Sequence, residues 1–124
     1  MKKLKYFLII IPCLFAMIAH AQEKDNEKTL KEVYKNAFLI GVAVNPAISS
    51  GKDKAAQDIV IKEFNSITPE NVMKAALINP KPGVYNFGPA DDYVAFGEKH
   101  HMFIMGHTLA WHNQCPPWFF TNLT

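Results

Sequence analysis

The chain has 124 residues, about half of them apolar, with thirteen lysines, eleven acidic residues and no arginine. This length is enough for one small domain, and the apolar fraction can supply its core. The composition excludes a typical nucleic-acid-binding domain, because such domains depend on clustered cationic contacts with phosphate.

Residues 1–21 have the pattern of a secretory signal peptide. Three lysines near the start precede an almost wholly apolar run over residues 6–18, and Ala19 and Ala21 place small residues at the positions that signal peptidase recognises. The apolar run is shorter than the ~20 residues that a membrane-spanning helix needs. We therefore predict cleavage after Ala21, no membrane span in the mature chain, and export to the periplasm, the cell surface or the medium.

Removal of the leader changes the charge and the thiol content of the mature chain. Three lysines leave with it, so ten lysines face eleven acidic residues and the formal net charge becomes −1. Cys13 leaves as well, which makes Cys115 the single remaining thiol and excludes an internal disulfide. The residues before Cys13 are Ile10, Ile11 and Pro12, which do not fit a lipoprotein acceptor, so we do not expect a lipid anchor.

The spacing of apolar residues predicts alternating helices and strands after a charged spacer over residues 22–29. In chain order, the predicted elements are a helix from Thr29 to Ala37, a strand over 38–44, a helix over 53–64, a short strand over 65–68, a helical segment over 70–78, a loop over 79–89, a helix over 90–101, a strand over 102–106 and an aromatic-rich loop. This alternation indicates an α/β fold with βαβ units and a parallel sheet, whose strands are expected to be buried on both faces. Three strands cannot close a barrel, so the predicted fold is incomplete.

Polar and aromatic side chains follow the second and third predicted strands. They are Glu70, Asn71 and Lys74 after the second strand, and His107, Trp111, His112 and Gln114 after the third. Because the carboxyl ends of parallel strands form the binding face of such proteins, we expect the two groups to converge. Mixed donors and acceptors beside an indole ring suit a neutral, polyhydroxylated ligand. A phosphate would require a glycine-rich loop or arginine.

Each of these residues also has a purely structural interpretation. Glu70 and Lys74 are four residues apart and match an ion pair on a helix face. His107 matches a core histidine, Trp111 matches a cover over the rim of the fold, and Asn71 matches a helix cap.

Five histidines raise the possibility of a metal site, and hence of a periplasmic metal-binding protein. His107 and His112 are five residues apart, which places them on different faces of a strand or a helix. Cys115 has no second cysteine at metal-ligand spacing. We expect neither a metal nor any other cofactor.

Two long motifs carry a resemblance to a known family. Residues 64–74 (FNSITPENVMK) and 106–114 (GHTLAWHNQ) are similar to the strand-two and strand-three motifs of family-10 glycoside hydrolases. Residues 85–87 (YNF) resemble the segment between them, and residues 41–43 (GVA) resemble the first strand. The resemblance covers nearly all of the mature chain.

This resemblance implies a fold and an activity. Residues 30–124 would form the N-terminal part of a (β/α)₈ TIM barrel, about its first three β/α units. The family implies an endo-1,4-β-xylanase that hydrolyses internal β-1,4-xylosidic bonds of xylan with retention. Xylan or xylo-oligosaccharide would be its ligand, and the full-length protein would have room for carbohydrate-binding modules.

The resemblance also implies roles for single residues. Its substrate-binding positions correspond to Glu70, Asn71, Lys74, His107, Trp111 and Gln114. The first three would bind sugar hydroxyls on the non-reducing side of the cut. His107 and Gln114 would bind the sugar at and beside the cleavage point, where Trp111 would pack. His112 would orient its neighbours, and a non-proline cis peptide bond is expected between His107 and Thr108.

The chain departs from the family pattern in two ways. Ala75 stands where many relatives carry a bulky aromatic residue. Retaining hydrolysis also needs two carboxyl groups ~5 Å apart, and in this family they follow the fourth and seventh strands. We expect no catalytic residue in this chain and no activity of the chain alone, since the positions of Glu70 and Asp91 do not pair them across a bond. The alternative is a non-catalytic xylan-binding remnant.

Overall fold

The computed structural model describes residues 27–121, and the predicted signal peptide lies outside them. The elements, in order, are α1 (Leu30–Val33), β1 (Gly41–Val44), α2 (Pro46–Ser49), α3 (Lys54–Glu63), β2 (Ser66–Pro69), α4 (Ala75–Ile78), α5 (Gly88–Lys99), β3 (Phe103–Ile104) and a 3₁₀-helix (Pro117–Phe120). Within this part of the chain, no helix has the length and apolar character needed to cross a bilayer.

The three strands form one parallel sheet in the order β1-β2-β3. Gly41 pairs with Ser66 and Val44 with Pro69, while Ser66 and Ile67 pair with Phe103 and Ile104 on the other side. Each parallel pair is joined by a helical crossover, as the alternation of elements predicts. The prediction of an α/β fold with a parallel sheet is therefore confirmed.

β1 and β3 are shorter than the apolar runs suggested, whereas β2 has the predicted length and is buried on both faces, as expected. The first strand begins at Gly41, and the third consists of only two residues. In β1, Val44 is buried, whereas Gly41 and Ala43 are exposed. The expectation of burial on both faces is wrong for this strand, because helices cover one face and no described segment covers the other.

The segment predicted as a helix over residues 70–78 is helical only from Ala75 to Ile78. Residues 70–74 form bends and a turn that is closed by a hydrogen bond from the Lys74 N–H to the Asn71 carbonyl, at 2.8 Å. Lys74 has an extended backbone, with φ −72° and ψ 144°, so the helix cannot begin before it. The polar motif after β2 therefore lies in a loop and not on a helix face.

Helix α5 begins at Gly88, earlier than the predicted start at residue 90. Pro89 lies in its first turn, where the missing N–H of proline costs no intrahelical hydrogen bond. The first helix is shorter than predicted and ends at Val33.

Tyr93 of α5 holds the core together beneath the ends of β2 and β3. Its side chain is 1% exposed, and it packs with Val44, Ile67 and Phe96. The hydroxyl oxygen lies 2.7 Å from the Ile67 carbonyl oxygen and 3.1 Å from that of Met105. Burial raises the pKa of the Tyr93 hydroxyl to about 12, so it stays protonated and available as a donor.

Replacing Gly97 with alanine is expected to destabilise the fold, although alanine is the better helix former. A Cβ at this position would lie 2.6 Å from Cγ1 of Ile104 and 2.9 Å from Cδ1 of Ile67. Overpacking costs roughly 1–3 kcal/mol and the gain in helix propensity is about 1 kcal/mol, so we expect a net loss of about 1 kcal/mol. The midpoint of urea unfolding measures it. Gly88→Ala in the same helix is the control, since its Cβ would meet only Oδ1 of Asn86, at 4.0 Å; equal midpoints for the two variants would contradict the prediction.

Candidate functional site

Two loops come together at the carboxyl ends of β2 and β3. The first is the turn over residues 70–74, and the second is the loop over residues 105–116 that precedes the 3₁₀-helix. The strands are adjacent and parallel, so both loops leave the sheet at the same edge. The expected convergence of the two polar groups is seen for Asn71 and Lys74 with Trp111 and Gln114, which are in direct contact.

Lys74 lies against the face of Trp111. The residue is 6% exposed, and its Nζ lies 4.4 Å from the centroid of the indole ring. Within residues 27–121, no carboxylate lies within 4.0 Å of this ammonium group. The interpretation of Lys74 and Glu70 as an ordinary ion pair is therefore wrong. The ring stabilises the cation through its quadrupole. Because no described carboxylate pairs with the ammonium, its three N–H donors can bind another group.

A hydrogen bond joins the two loops directly. The side-chain amide of Gln114 donates from Nε2 to Oδ1 of Asn71 at 3.1 Å. The Gln114 carbonyl also accepts from the N–H of Ala76 at 2.9 Å, which fixes the second loop to the start of α4. Since Asn71 uses its side chain in this way and α4 is capped at Lys74, the helix-cap interpretation of Asn71 is wrong.

Gln114 has a left-handed backbone, with φ +52°. This conformation is uncommon for a residue other than glycine and is found most often where surrounding contacts determine it. Here the backbone N–H of Gln114 donates to Oδ1 of Asn113 at 2.9 Å, and the side chain reaches Asn71. The conformation thus directs the Gln114 amide towards the loop after β2.

Three aromatic side chains extend the site along the second loop. The rings of His107 and Trp111 are 6.4 Å apart at 47°, and those of Trp111 and His112 are 5.5 Å apart at 74°. His107 is exposed, so its interpretation as a core histidine is wrong. The peptide bond between His107 and Thr108 is cis, as predicted.

Glu70 is exposed at the end of β2, where its N–H donates to the Val44 carbonyl of β1 at 3.1 Å. This hydrogen bond places Glu70 beside the end of β1. Among the described residues, the Glu70 side chain forms no hydrogen bond with Trp111 or Gln114.

Cys115 is a half-buried free thiol whose Sγ donates to the Trp111 carbonyl at 2.7 Å. In the described part of the chain, no group of three or more His, Cys, Asp or Glu side chains is arranged to hold a metal ion.

Ala75 borders an apolar cavity of about 530 Å³ between α4, α5 and the loop after β3. Ile78, Phe87, Val94 and Phe119 line the same cavity. The small side chain of Ala75 borders this space at the position where the resemblance implies a bulky aromatic residue in many relatives.

Asn79 organises this region, although its sequence context predicts only a loop. Its side-chain amide donates to the carbonyls of Lys81 and Val84, at 3.2 and 2.8 Å. Its own carbonyl accepts from the Trp118 indole at 3.2 Å, which connects the loop after α4 to the 3₁₀-helix. The prolines and glycines of residues 79–89 predict a loop, but no local signal identifies a partner 39 residues away.

The comparisons with known proteins agree with this fold. The model of glycosyl hydrolase family 10 matches residues 29–124. A β-1,4-xylanase of Dictyoglomus thermophilum is 51% identical over 92 residues, which are 74% of this chain and 25% of that protein. Endo-1,4-β-xylanase A of Xylanibacter ruminicola is 37% identical over 122 residues, which are 98% of this chain and 32% of that protein.

A solved structure gives the same result. Xylanase 10B from Thermotoga petrophila, in complex with xylobiose, superposes with a TM-score of 0.70 at 38% identity, over 76% of this chain and 29% of that one. The chain belongs to glycosyl hydrolase family 10, which confirms the resemblance seen in its motifs. It spans about a quarter to a third of the length of these relatives.

Proposed function

We propose that this chain is the N-terminal portion of a retaining endo-1,4-β-xylanase, and that residues 30–124 supply about the first three β/α units of its TIM barrel. Family membership and the three-stranded parallel sheet support this proposal. The proportion of each xylanase relative that the chain covers supports it as well. In the proposal, residues 1–21 export the protein, and any carbohydrate-binding modules belong to the full-length enzyme.

The observation that carries the proposal is the contact between Lys74 and Trp111, reinforced by the hydrogen bond between Gln114 and Asn71. An ammonium group that has no carboxylate partner among the described residues can donate to neutral hydroxyl groups. The exposed part of an indole can pack against the apolar face of a sugar ring. A neutral xylose unit fits these two features together, whereas a cationic ligand would be repelled by Lys74.

The residue roles follow the family pattern and are part of the proposal. Glu70, Asn71 and Lys74 bind hydroxyls of the sugar on the non-reducing side of the scissile bond. His107 and Gln114 bind the sugar at and beside that bond, and Trp111 packs against it. His112 acts through its edge-on contact with Trp111, which it helps to orient.

We further propose that the chain does not cleave xylan alone. Retaining hydrolysis requires an acid/base and a nucleophile ~5 Å apart on opposite sides of the bond. Glu70 follows β2, whereas Asp91 belongs to the first turn of α5 and lines the apolar cavity beside Ala75. In the proposal, the two catalytic carboxylates come from the segments after the fourth and seventh strands of the barrel.

A non-catalytic xylan-binding protein is the second candidate function. It is favoured by one observation, that Lys74, Trp111, Asn71 and Gln114 are already in contact within residues 27–121. The two functions differ in whether any form of the gene product breaks a glycosidic bond.

The test compares the 124-residue chain with the full length that its gene encodes, by the release of reducing sugar from xylan. We expect the reading frame beyond codon 124 to encode an Asn-Glu-Pro segment and a nucleophile strand. The full-length protein should then release β-anomeric xylo-oligosaccharides, as followed by proton NMR, and the 124-residue chain should release none. Hydrolysis by the 124-residue chain would contradict the division of roles. A reading frame without those segments would favour the binding function.

A further inference from the structure

A second cavity, which is lined mainly by polar side chains, lies between α2, α3 and α5. It shares no residue with the site around Lys74 and Trp111. Its volume is about 410 Å³, which falls within the range of roughly 300–1,000 Å³ that is usual for small-molecule sites. The polar side chains that line it are Ser49, Ser50, Gln57, Asp92, Lys99 and His100. All of the residues that line it lie between residues 49 and 100.

Hydrogen bonds connect one wall of the cavity to α2. The side-chain amide of Gln57 donates from Nε2 to the Ile48 carbonyl at 2.8 Å, and the Ser50 hydroxyl donates to the Pro46 carbonyl at 2.6 Å. Oε1 of Gln57 forms no hydrogen bond with another described residue and remains an acceptor, as does the oxygen of Ser50. Gly51 has φ +75°, where a side chain would be strained, and a Cβ at this position would lie 3.4 Å from Nε2 and Oε1 of Gln57.

The opposite wall is one face of α5. Asp92, Ala95 and Lys99 recur at helical spacing and are exposed, while Phe96 is buried beneath them. The rings of Phe96 and His100 are 4.9 Å apart at 55°, which gives the cavity an aromatic surface.

The charge of the cavity is balanced. Asp92 and Lys99 carry opposite charges, and burial, followed by the nearby Lys99 and His101, lowers the pKa of the His100 ring and so disfavours its cationic form. A phosphate or carboxylate would meet Asp92, and a cation would meet Lys99. A neutral molecule with several hydroxyl groups can use every donor and acceptor here and place an apolar face on the rings.

We propose that this cavity is a second binding site for xylo-oligosaccharide, separate from the cleavage site, which helps to hold the enzyme on polymeric xylan. The identity of the sugar rests on the proposed function; the preference for a neutral polyol rests on the cavity alone. A second site raises retention on a polymer because, once one site is occupied, the other binds at a high effective concentration.

The test is the retention of the full-length protein on insoluble xylan, measured by pelleting, together with kcat/KM on xylotriose. Ala95→Trp should fill the cavity and lower the affinity for insoluble xylan by about 3- to 10-fold, the size expected for a few neutral hydrogen bonds, without changing kcat/KM. Glu98→Trp is the matched control, because Glu98 is exposed on the same helix and does not line the cavity. It should retain the parent affinity.

The double variant Asp92→Ala, Lys99→Ala removes polar groups from exposed positions, where substitutions affect stability little. It tests whether the cavity binds xylan even if Ala95→Trp does not fold. Parent-like retention of the double variant or of a folded Ala95→Trp would overturn the proposal and leave the proposed function untouched. Trp111→Ala tests the proposed function independently of the cavity. If this variant keeps the parent kcat/KM, the proposed function is wrong, whatever the cavity variants show.

Discussion

Replacing Lys74 with methionine is expected to lower kcat/KM on xylan by about 10- to 100-fold in the full-length protein. Hydrogen bonds from a charged group are worth roughly 1.5–3 kcal/mol, and the ammonium of Lys74 has no carboxylate within 4.0 Å among the described residues. Methionine keeps most of the apolar stem that packs in this buried position, so the change removes mainly the three donors and the cation over the Trp111 ring.

The matched control for this prediction is Lys62→Met. Lys62 is an exposed lysine in the last turn of α3, and its nearest acidic contact is Oε1 of Glu63 at 3.8 Å. We expect its kinetics to equal those of the parent. Thermal melting of both variants separates a loss of binding from a loss of fold. If a folded Lys74→Met variant kept the parent kcat/KM, the role proposed for this ammonium would be wrong.

Replacing Tyr93 with alanine is expected to cost about 3–5 kcal/mol of unfolding free energy, the usual cost of removing a buried aromatic side chain. The ring is 1% exposed at the centre of the core, and its hydroxyl lies near the carbonyls that follow β2 and β3. Tyr93→Phe keeps the ring, leaves those carbonyls without this donor, and should cost about 1–3 kcal/mol. Urea unfolding measures both variants, and equal losses for Phe and Ala would contradict the importance of ring packing.

The pH dependence of stability reports on the same hydroxyl. An unfolded tyrosine ionises at a pKa of about 10, whereas burial raises that of Tyr93 to about 12 in the folded chain. Between these values the unfolded state binds fewer protons, so the free energy of unfolding should fall as pH rises from 10 to 12. Tyr93→Phe should lose the part of this slope that Tyr93 contributes. If the slope is unchanged in this variant, the pKa of the Tyr93 hydroxyl does not differ between the folded and the unfolded state.

Much of the fold follows from the sequence because its signals are local. The apolar faces of α3 and α5 have helical spacing, and the strands are short apolar runs that end near proline or glycine. The strand ends and the turn over residues 70–74 were harder to predict. Glu70 and Lys74 have helical spacing, but the hydrogen bond from Lys74 to the Asn71 carbonyl forms a turn instead. Nothing within a window of ten residues distinguishes these outcomes.

The proximity of the two loops of the candidate site was predictable, but the orientation of the side chains within them was not. Parallel strands require that the loops after β2 and β3 be neighbours, so the meeting of Asn71 with Gln114 follows from topology. The placement of Lys74 over Trp111 depends on backbone conformations in a long loop, including the left-handed Gln114. Such conformations are set by tertiary contacts, which a single sequence does not encode in any short pattern.

The most direct test of the proposed sugar site is a crystal structure of the full-length protein with xylobiose. We expect one xylose ring to pack against Trp111, with Nζ of Lys74 and the side-chain amide of Asn71 within about 3.2 Å of its hydroxyl groups. The hydrogen bond between Gln114 and Asn71 should be kept, since it holds the two loops together. A structure in which xylobiose occupies the catalytic cleft without contacting Lys74 or Trp111 would contradict the central claim.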